Sequence, residues 1–170
     1  MKYRKDKEAQ WTHEQVCAMY SYNPETGNIR HKRKGVGIQH GSIAGSNMNG
    51  YINIKIKNRL YRAHRIGWMI HYGEWPDGYI DHINHQKDDN RMSNLRVCSR
   101  SQNKANTLLS MQNTTGYKNV SRQTAGRDGW RIRITYQGKR HEWSRAKLSD
   151  AIELARAKRV EIYGEFAHHG

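Results

Sequence analysis

Residues 79–106 read YIDHINHQKDDNRMSNLRVCSRSQNKAN, and this stretch decides the predicted fold. Tyr79–Ile83 and Leu95–Cys98 are short apolar runs of the kind found in strands. The loop between them, Asn84–Asn94, is too polar to bury. The sequence therefore predicts two short strands joined by a polar loop.

A helix is predicted directly after the second strand. Ser99, with Gln102 three residues later, forms a capping-box pattern in which each side chain binds the other residue's backbone N–H group. Strand, loop, strand and helix then bring three polar side chains together. Asp81 and His82 end the first strand, and Asn103 lies in the first turns of the helix.

These three side chains suit hydrolytic chemistry. A carboxylate and an amide oxygen are hard ligands that suit Mg²⁺, which keeps most of its waters and takes few protein ligands. Histidine titrates near neutral pH and can accept a proton from water. Taken alone, an adjacent Asp81 and His82 are more often structural than catalytic, so the residues by themselves leave both interpretations open.

Four separated blocks resemble, in order and spacing, the HNH nucleases found among phage and intron homing endonucleases: Asp81–Asn84, Asp89–Arg91, Ser93–Arg96 and Gln102–Asn106. The resemblance implies a ββα-metal fold that holds one divalent ion. It implies that His82 is the general base, that Asp81 and Asn103 bind the metal, and that Asn94 braces the loop so that His82 is oriented. Many members have histidine where this chain has Asn103, so the resemblance implies Mg²⁺ or Mn²⁺ and leaves the choice open. No zinc is expected.

The composition points to a polyanionic partner. The 170 residues carry a net charge of +15, and the sequence pI is near 10. Two cysteines, Cys17 and Cys98, lie far apart, which argues against a four-cysteine zinc site and a disulfide framework. No apolar run is long enough for a membrane span, and the start of the chain has no signal-peptide pattern. We expect a cytoplasmic protein, in a bacterial host if it is phage-encoded.

The first sixty residues predict a basic, strand-rich region. A short helix is expected over Trp11–Tyr20, and Gly50–Ala63 alternates as a hairpin that turns at Asn58-Arg59. Two sets of basic residues in this region are candidate phosphate contacts. They are Arg33 in the run His31–Gly35, which reads equally well as a solvated loop, and the strand residues Lys55, Lys57, Arg59 and Arg62, which are expected on one exposed surface. A helix from His64 to Tyr72 follows.

The last fifty residues predict a three-stranded sheet on one helix. The strands are expected at Tyr117–Arg122, Trp130–Tyr136 and Lys139–Trp143, and a helix capped by Ser149 or Asp150 should run to Tyr163. Its apolar stripe is predicted from these residues: Leu148, Ala151, Ile152, Ala155 and Ile162. The polar face of the sheet is predicted to carry Arg131 and Arg133, with Arg122, Lys139 and Arg140 able to join them. A strand ribbon of this kind fits the DNA major groove.

This tail is similar to the plant APETALA2-type DNA-binding domain, which also accompanies HNH modules in phage endonucleases. Four blocks carry the likeness: Gly116–Val120, Trp130–Ile134, Ala151–Ala155 and Tyr163–Ala167. The resemblance implies that Arg122, Arg131, Arg133 and Trp143 contact DNA. The tail lacks the fuller arginine and tryptophan set of the plant proteins, so the resemblance implies no particular base preference.

The predicted fold class is α+β, with a small ββα-metal nuclease module preceded by a hairpin region and followed by a three-stranded sheet packed on one helix. The domains are predicted at residues 1–62 (basic, strand-rich), 63–109 (HNH nuclease), 110–116 (linker) and 117–170 (APETALA2-like).

The predicted function is a metal-dependent HNH endonuclease of homing type that nicks or cleaves double-stranded DNA as a monomer, without a membrane partner. Arg91 or Arg96 is expected to contact phosphate beside the site. The main alternative is a sequence-specific DNA-binding protein with an inactive nuclease module. A second alternative, an RNA-binding or RNA-cleaving protein, is less favoured because the aromatics do not form a base-stacking platform.

Overall fold

The chain, described by a computed structural model over residues 8–124 and 128–169, divides into two compact units, 1–98 and 99–170. Each unit combines short helices with small antiparallel sheets, which confirms the predicted α+β class. The basic residues that begin the predicted N-terminal region, 2–7, lie outside the described residues. No helix in the described ranges is long and apolar enough to cross a membrane.

The first unit contains these elements in chain order: α1 (His13–Met19), β1 (Tyr20–Tyr22), β2 (Ile29–His31), β3 (Ser46–Met48), β4 (Tyr51–Ile56), β5 (Arg59–Arg62), α2 (Ala63–Tyr72), β6 (Tyr79–His82) and β7 (Leu95–Cys98). The strands form three antiparallel sheets, β1-β2, β3-β4-β5 and β6-β7. A single 3₁₀ turn, Met92–Asn94, leads into β7.

The hairpin β4-β5 turns one residue earlier than predicted. Lys57 and Asn58 both have positive φ, +43° and +62°, which matches the twist of a two-residue hairpin loop. The register pairs Ile56 with Arg59 and Lys55 with Leu60. Because paired residues share a face and neighbours along a strand alternate, Arg59 lies on the face opposite Lys55. The expectation that these basic residues form one surface is therefore wrong.

The core of the first unit joins the N-terminal segments to α2. Val16 from α1, Ile54 from β4 and Ile66 from α2 are at most 1% exposed and belong to one apolar cluster. Trp11, just before α1, donates from Nε1 to the Tyr61 hydroxyl at 2.9 Å. This cluster crosses the boundary that the sequence analysis placed at residues 62 and 63, and it gives the N-terminal helix a structural role that its sequence did not reveal.

The second unit contains α3 (Arg100–Asn106), β8 (Val120–Arg122), β9 (Trp130–Tyr136), β10 (Lys139–Arg145) and α4 (Leu148–Tyr163), followed by a 3₁₀ turn, Gly164–Phe166. The strands form one antiparallel sheet in the order β10-β9-β8. The predicted capping box at Ser99 and Gln102 is confirmed: the Ser99 hydroxyl accepts from Gln102 N, and Gln102 Oε1 accepts from Ser99 N.

Helix α4 differs from its prediction at its start and on its buried face. It begins at Leu148 after Lys147, and no side chain caps it, so the predicted cap at Ser149 or Asp150 is wrong. Its buried residues follow a spacing of four: Ala151, Ala155, Arg159 and Tyr163. Ala151 and Ala155 confirm part of the predicted stripe, which continues at a spacing of four to Arg159 and Tyr163 because residues four apart lie one above another on a helix. A long cation, Arg159, is therefore buried in a stripe that was predicted to be apolar.

The segment predicted as a linker, 110–116, contains a hydrogen-bonded turn. Asn113 Oδ1 accepts from the backbone N–H groups of Thr115 at 3.0 Å and Gly116 at 2.7 Å, and Asn113 Nδ2 donates to Tyr117 O at 3.0 Å. The four-part division of the chain into domains stays a prediction.

Candidate active site

Strands β6 and β7 place Asp81 and His82 on opposite faces of a two-stranded ribbon. Asp81 is opposite Arg96, and His82 is opposite Leu95. Arg96 Nε lies 3.0 Å from Asp81 Oδ2, and the two side chains are only 14% and 7% exposed. Arg96 thus has an acidic partner within the protein, and its role as a DNA contact stays a prediction.

The His82 imidazole sits in a buried group of polar and aromatic side chains. Its Nε2 atom lies 3.3 Å from Asn90 Oδ1. The His64 ring stands edge-on to it at 5.0 Å between centroids, and the Tyr51 ring lies at 6.1 Å. His82, His64 and Asn90 are each 6% exposed or less. The Asn90 contact fixes the orientation of the ring.

Burial keeps both histidines neutral near neutral pH. Desolvation lowers the pKa of His82, although the Asn90 hydrogen bond and the charge of Asp81 partly oppose the shift. The pKa of His64 falls well below its ordinary value because of burial first, and then because of the nearby charges on His82 and Arg65. A neutral His82 is the protonation state that a general base requires.

Asn94 braces the loop between β6 and β7. Its side-chain Oδ1 accepts from Asn84 N at 3.0 Å, and its Nδ2 donates to Asp89 O at 2.8 Å. Its backbone O also accepts from Ile83 N at 2.9 Å. Asn94 thereby holds both ends of the loop, while the side chain of Asn90 contacts His82 Nε2 directly.

An ion pair closes the same loop. Arg91 Nε and Nη2 donate to the two oxygens of Asp89 at 2.8 and 2.7 Å, and Asn84 Nδ2 donates to Asp89 Oδ2 at 2.7 Å. The hydrogen bond from Arg91 is the largest of the effects that lower the pKa of Asp89 to about 2. This arrangement gives Arg91 a loop-closing role, while its guanidinium remains half exposed.

The β1-β2 hairpin contacts the backbone of the loop at Asn90 and Met92. The Tyr22 hydroxyl donates to Asn90 O at 2.7 Å, and Pro24 O accepts from Met92 N at 2.9 Å. A Cβ atom on Gly27, where φ is +72°, would lie 2.5 Å from the Asn90 carbonyl carbon and 2.6 Å from Arg91 N. Only glycine therefore fits this turn against the loop.

The sequence analysis did not single out His64, Asn90 or Tyr51 as site residues. His64 and Tyr51 come from α2 and β4, distant in sequence from the stretch that carries the motif. Asn90 lies inside one of the blocks that resemble the HNH family, Asp89–Arg91, which was the available signal. The loop as a whole was expected to be unburied, yet Asn90 and Asn94 are 4% and 6% exposed.

Asn103, the other predicted metal ligand, belongs to the second unit. It lies in the first turn of α3, is half-buried, and donates from its backbone N–H to Ser99 O at 3.0 Å. Within residues 8–124 and 128–169, no three His, Cys, Asp or Glu side chains form a metal-binding group. The predicted donors, one carboxylate and one amide, are oxygen ligands that suit a hard ion completed by water and phosphate.

Three arginines of the second unit's sheet share the face that is opposite α4. The register pairs Glu142 with Arg133 and Arg140 with Thr135, so Arg131, Arg133 and Arg140 share a face. The other face carries Ile132 and Ile134, which are fully buried against α4. Strand pairing places Arg122, Lys139 and Trp143 on the same face as Ile132 and Ile134. Lys158 Nζ of α4 lies 5.7 Å from the centroid of the Trp143 ring on this face. The expectation that Arg122 and Lys139 join the arginine face is therefore wrong, because it ignored strand alternation.

Comparison with known proteins identifies this stretch. A family model described as HNH endonuclease matches residues 61–105, which span α2, the β6-β7 ribbon and most of α3. Protein 3.8 of Escherichia phage T7 is 32% identical over 62% of this chain and 88% of that protein. Residues 61–105 therefore match the HNH endonuclease family, within a chain that is similar to a phage protein over most of that protein's length.

A second relative carries the family name. The uncharacterized HNH endonuclease L560 of Acanthamoeba polyphaga mimivirus is 31% identical over 65% of this chain, which spans 56% of that protein. No solved structure matches the chain significantly. The HNH endonuclease match at residues 61–105 implies a nucleic-acid substrate.

Proposed function

We propose that the protein is a metal-dependent DNA endonuclease of homing type that hydrolyses a phosphodiester bond and nicks one strand. The observation that carries the proposal is the buried, neutral His82, which Asn90 orients within the stretch that matches the HNH family. A protein that only binds DNA has no use for an imidazole fixed in this way.

His82 acts as the general base in this proposal. When Nε2–H donates to Asn90 Oδ1, the basic lone pair is on Nδ1, which accepts the proton of the attacking water. Asn94 and the Asp89–Arg91 pair hold the loop that carries Asn90, so they position the base and do not react themselves.

The resemblance assigns the metal to Asp81 and Asn103, whose oxygens fit Mg²⁺ or Mn²⁺. When bound, such an ion acts as a Lewis acid that stabilises charge on the scissile phosphate and the leaving oxygen. The proposed DNA surface of the second unit is the APETALA2-like face of Arg131, Arg133 and Arg140. Arg131 Nε is buried without an acceptor among the described residues, which suits a phosphate or base partner. In the first unit, Arg33, Lys55, Lys57 and Arg59 stay predicted phosphate contacts, and all four are exposed. We propose that one molecule acts alone in the host cytoplasm.

One observation favours the alternative, a DNA-binding protein with an inactive nuclease module. Arg96, whose side chain is 14% exposed, pairs with Asp81 Oδ2, and a paired carboxylate is a weaker cation ligand. A DNA cleavage experiment therefore decides between an active nuclease and a protein that only binds DNA.

The test is a nicking assay on supercoiled plasmid DNA. With Mg²⁺ or Mn²⁺ we expect conversion to the relaxed form, and with EDTA we expect none. Supercoiled DNA that stays intact with either metal, on plasmids carrying several phage genome segments, would support the DNA-binding alternative.

The arginine face of the second unit predicts a difference between two variants of equal charge. We expect Arg131→Gln to weaken binding to a random-sequence duplex and to lower the slope of log K against log salt by about 0.9, the effect of one phosphate contact. Lys139→Gln is the matched control, since its register places it on the other face. Fluorescence anisotropy at several salt concentrations measures both, and equal effects of the two variants would contradict the assignment of the faces.

The buried histidines predict that stability falls in mild acid. The folded pKa of His64 lies well below that of the unfolded chain, so only the unfolded state takes up its proton as the pH falls through about 6.5. Between about pH 7.5 and pH 5.5 this histidine should cost about 1.4 kcal/mol of unfolding free energy. Asp89 does not contribute in this window, since its carboxyl group stays ionised down to its pKa of about 2. Urea unfolding of His64→Gln should show a loss of unfolding free energy over this pH range that is smaller than in the wild type by that amount. If the two proteins lost stability equally with falling pH, His64 would not be buried and neutral.

A further inference from the structure

The second unit contains a cavity of about 530 Å³ with a strongly positive lining. Its walls come from α3 and the segment after it, from the sheet, and from the buried stripe of α4. The cationic side chains in this lining are Arg100, Lys104, Lys118, Arg133 and Arg159. Within the described part of the unit, no aspartate or glutamate lines the cavity.

Arg159 is the most deeply buried of these cations, and its hydrogen-bond acceptors among the described residues are neutral. It is 4% exposed, and its Nη atoms donate to Asn119 Oδ1 at 2.6 Å and to the backbone oxygens of Ala105 and His168 at 2.7 and 2.6 Å. Its Nε is buried and finds no acceptor among the described residues. A buried charge is costly without a counterion, so this guanidinium favours an anion nearby.

Lys118 adds a second cation beside it with the same kind of partners. Its Nζ donates to Thr107 O and, at 2.8 Å, to His168 O. Burial first, and then the charge of Arg159, lower the pKa of Lys118 to about 8. The carbonyl groups at the end of α3 supply only partial negative charge. Within residues 8–124 and 128–169, the hydrogen-bond acceptors of this pair therefore carry only partial negative charge, in a region where electrostatic attraction is strong.

The remaining cations lie nearer the mouth of the cavity. Arg100 and Lys104 project from α3 and are exposed, one turn apart. Arg133 is paired with Glu142 at 3.0 Å, so part of its charge is already balanced. The cavity volume lies in the range of about 300–1,000 Å³ that small-molecule sites occupy, which leaves room for a sugar beside a phosphate.

We propose that this cavity is an anion site that takes a phosphate group, held by Lys118 and Arg159 inside and by Arg100 and Lys104 at the mouth. The phosphate belongs either to a nucleic-acid backbone or to a free phosphate compound. The site does not depend on nuclease activity, since none of its residues has a role in the proposed hydrolysis.

The experiment uses the full chain and inorganic phosphate as the probe. Thermal unfolding is measured with increasing phosphate against chloride of equal ionic strength. At phosphate several times above the dissociation constant, we expect the melting temperature to rise by about 2–4 °C over the chloride control. Lys104→Gln and Arg100→Gln should each weaken phosphate binding about tenfold, the effect of one lost charge-assisted hydrogen bond.

Arg145→Gln is the matched control, since it removes one exposed cation of the same unit that does not line the cavity. It should leave phosphate binding unchanged. A response to phosphate no larger than the response to chloride, or an equal loss in Arg145→Gln and Lys104→Gln, would overturn the proposal.

A competition arm distinguishes the sources of the phosphate. If a short DNA duplex displaces inorganic phosphate from the wild type, the occupant is a backbone phosphate. If DNA and phosphate bind together without competition, the occupant is a free phosphate compound. Both interpretations require that Lys104→Gln weakens phosphate binding. Because this measurement does not depend on DNA cleavage, a negative result here is distinguishable from a negative result in the nicking assay.

Discussion

Replacing His82 with alanine should reduce the rate of DNA nicking by about a hundredfold to ten-thousandfold, the range that general bases contribute. The ring is buried beside Asn90 and neutral, and alanine cannot take the proton from water. Binding to the same duplex should change by less than about twofold, since the imidazole is 6% exposed and carries no charge for a phosphate. Single-turnover nicking and anisotropy measure the two effects on one preparation.

Two further variants make the His82 result specific. His40→Ala removes an exposed histidine of the same unit and should leave the rate unchanged. Asn90→Ala keeps the base but removes the acceptor that orients it, so we expect a smaller loss of about tenfold and an altered pH dependence of the rate. If His82→Ala lost nicking and binding equally, or lost its circular-dichroism spectrum, His82 would be a structural residue.

The largest effect on stability should come from Glu8. Arg65 of α2 is bound bidentately by Glu8, with Nε–Oε1 at 2.6 Å and Nη2–Oε2 at 2.9 Å, and the side chains are 7% and 8% exposed. Glu8→Ala leaves the guanidinium buried without its counterion, which typically costs about 3–5 kcal/mol. Urea unfolding at neutral pH should show a loss of this size.

Two variants separate this buried pair from an ordinary surface pair. Glu161→Ala breaks the exposed Lys158–Glu161 pair and should cost less than about 1 kcal/mol. Glu8→Ala combined with Arg65→Met removes both charges, so its cost should fall below the sum of the single variants. Arg65 also donates to Gly78 O and Pro76 O, just before β6, so the double variant should not recover fully. A loss below 1 kcal/mol in Glu8→Ala would show that the pair is exposed in solution.

Local patterns in the sequence predicted local structure well. The capping box at Ser99 involves residues three apart, and α3 starts where expected, while α1 starts at His13, two residues after the predicted Trp11. Strand alternation located β9, and the turn pattern Gln137-Gly138 located the reversal into β10. The order of elements from β6 to α3 also follows from the motif stretch alone. In each case the decisive contacts lie within a few residues of one another.

The wrong predictions concern features that strand register or burial determines. The sequence suggested that the basic residues of β4-β5 form one surface and that five or six residues on the sheet of the second unit contact DNA. Strand pairing places the members of each set on opposite faces of their sheet. The stripe of α4 was drawn from apolar residues, although Arg159 lies in it. A buried cation satisfied by distant carbonyl groups leaves no periodic signal.

The sequence by itself determined the α+β class and the position of the motif, since these rest on residue types at short spacings, and the resemblance to the HNH family implied the candidate base. Only the tertiary structure decided that Asn90 orients His82, that Arg96 pairs with Asp81, and that Tyr22 and Gly27 support the loop from about 65 residues away. Such contacts depend on which surfaces meet when the core forms. Hydrophobic burial fixes that choice for the whole unit at once, and no single stretch of the chain encodes it.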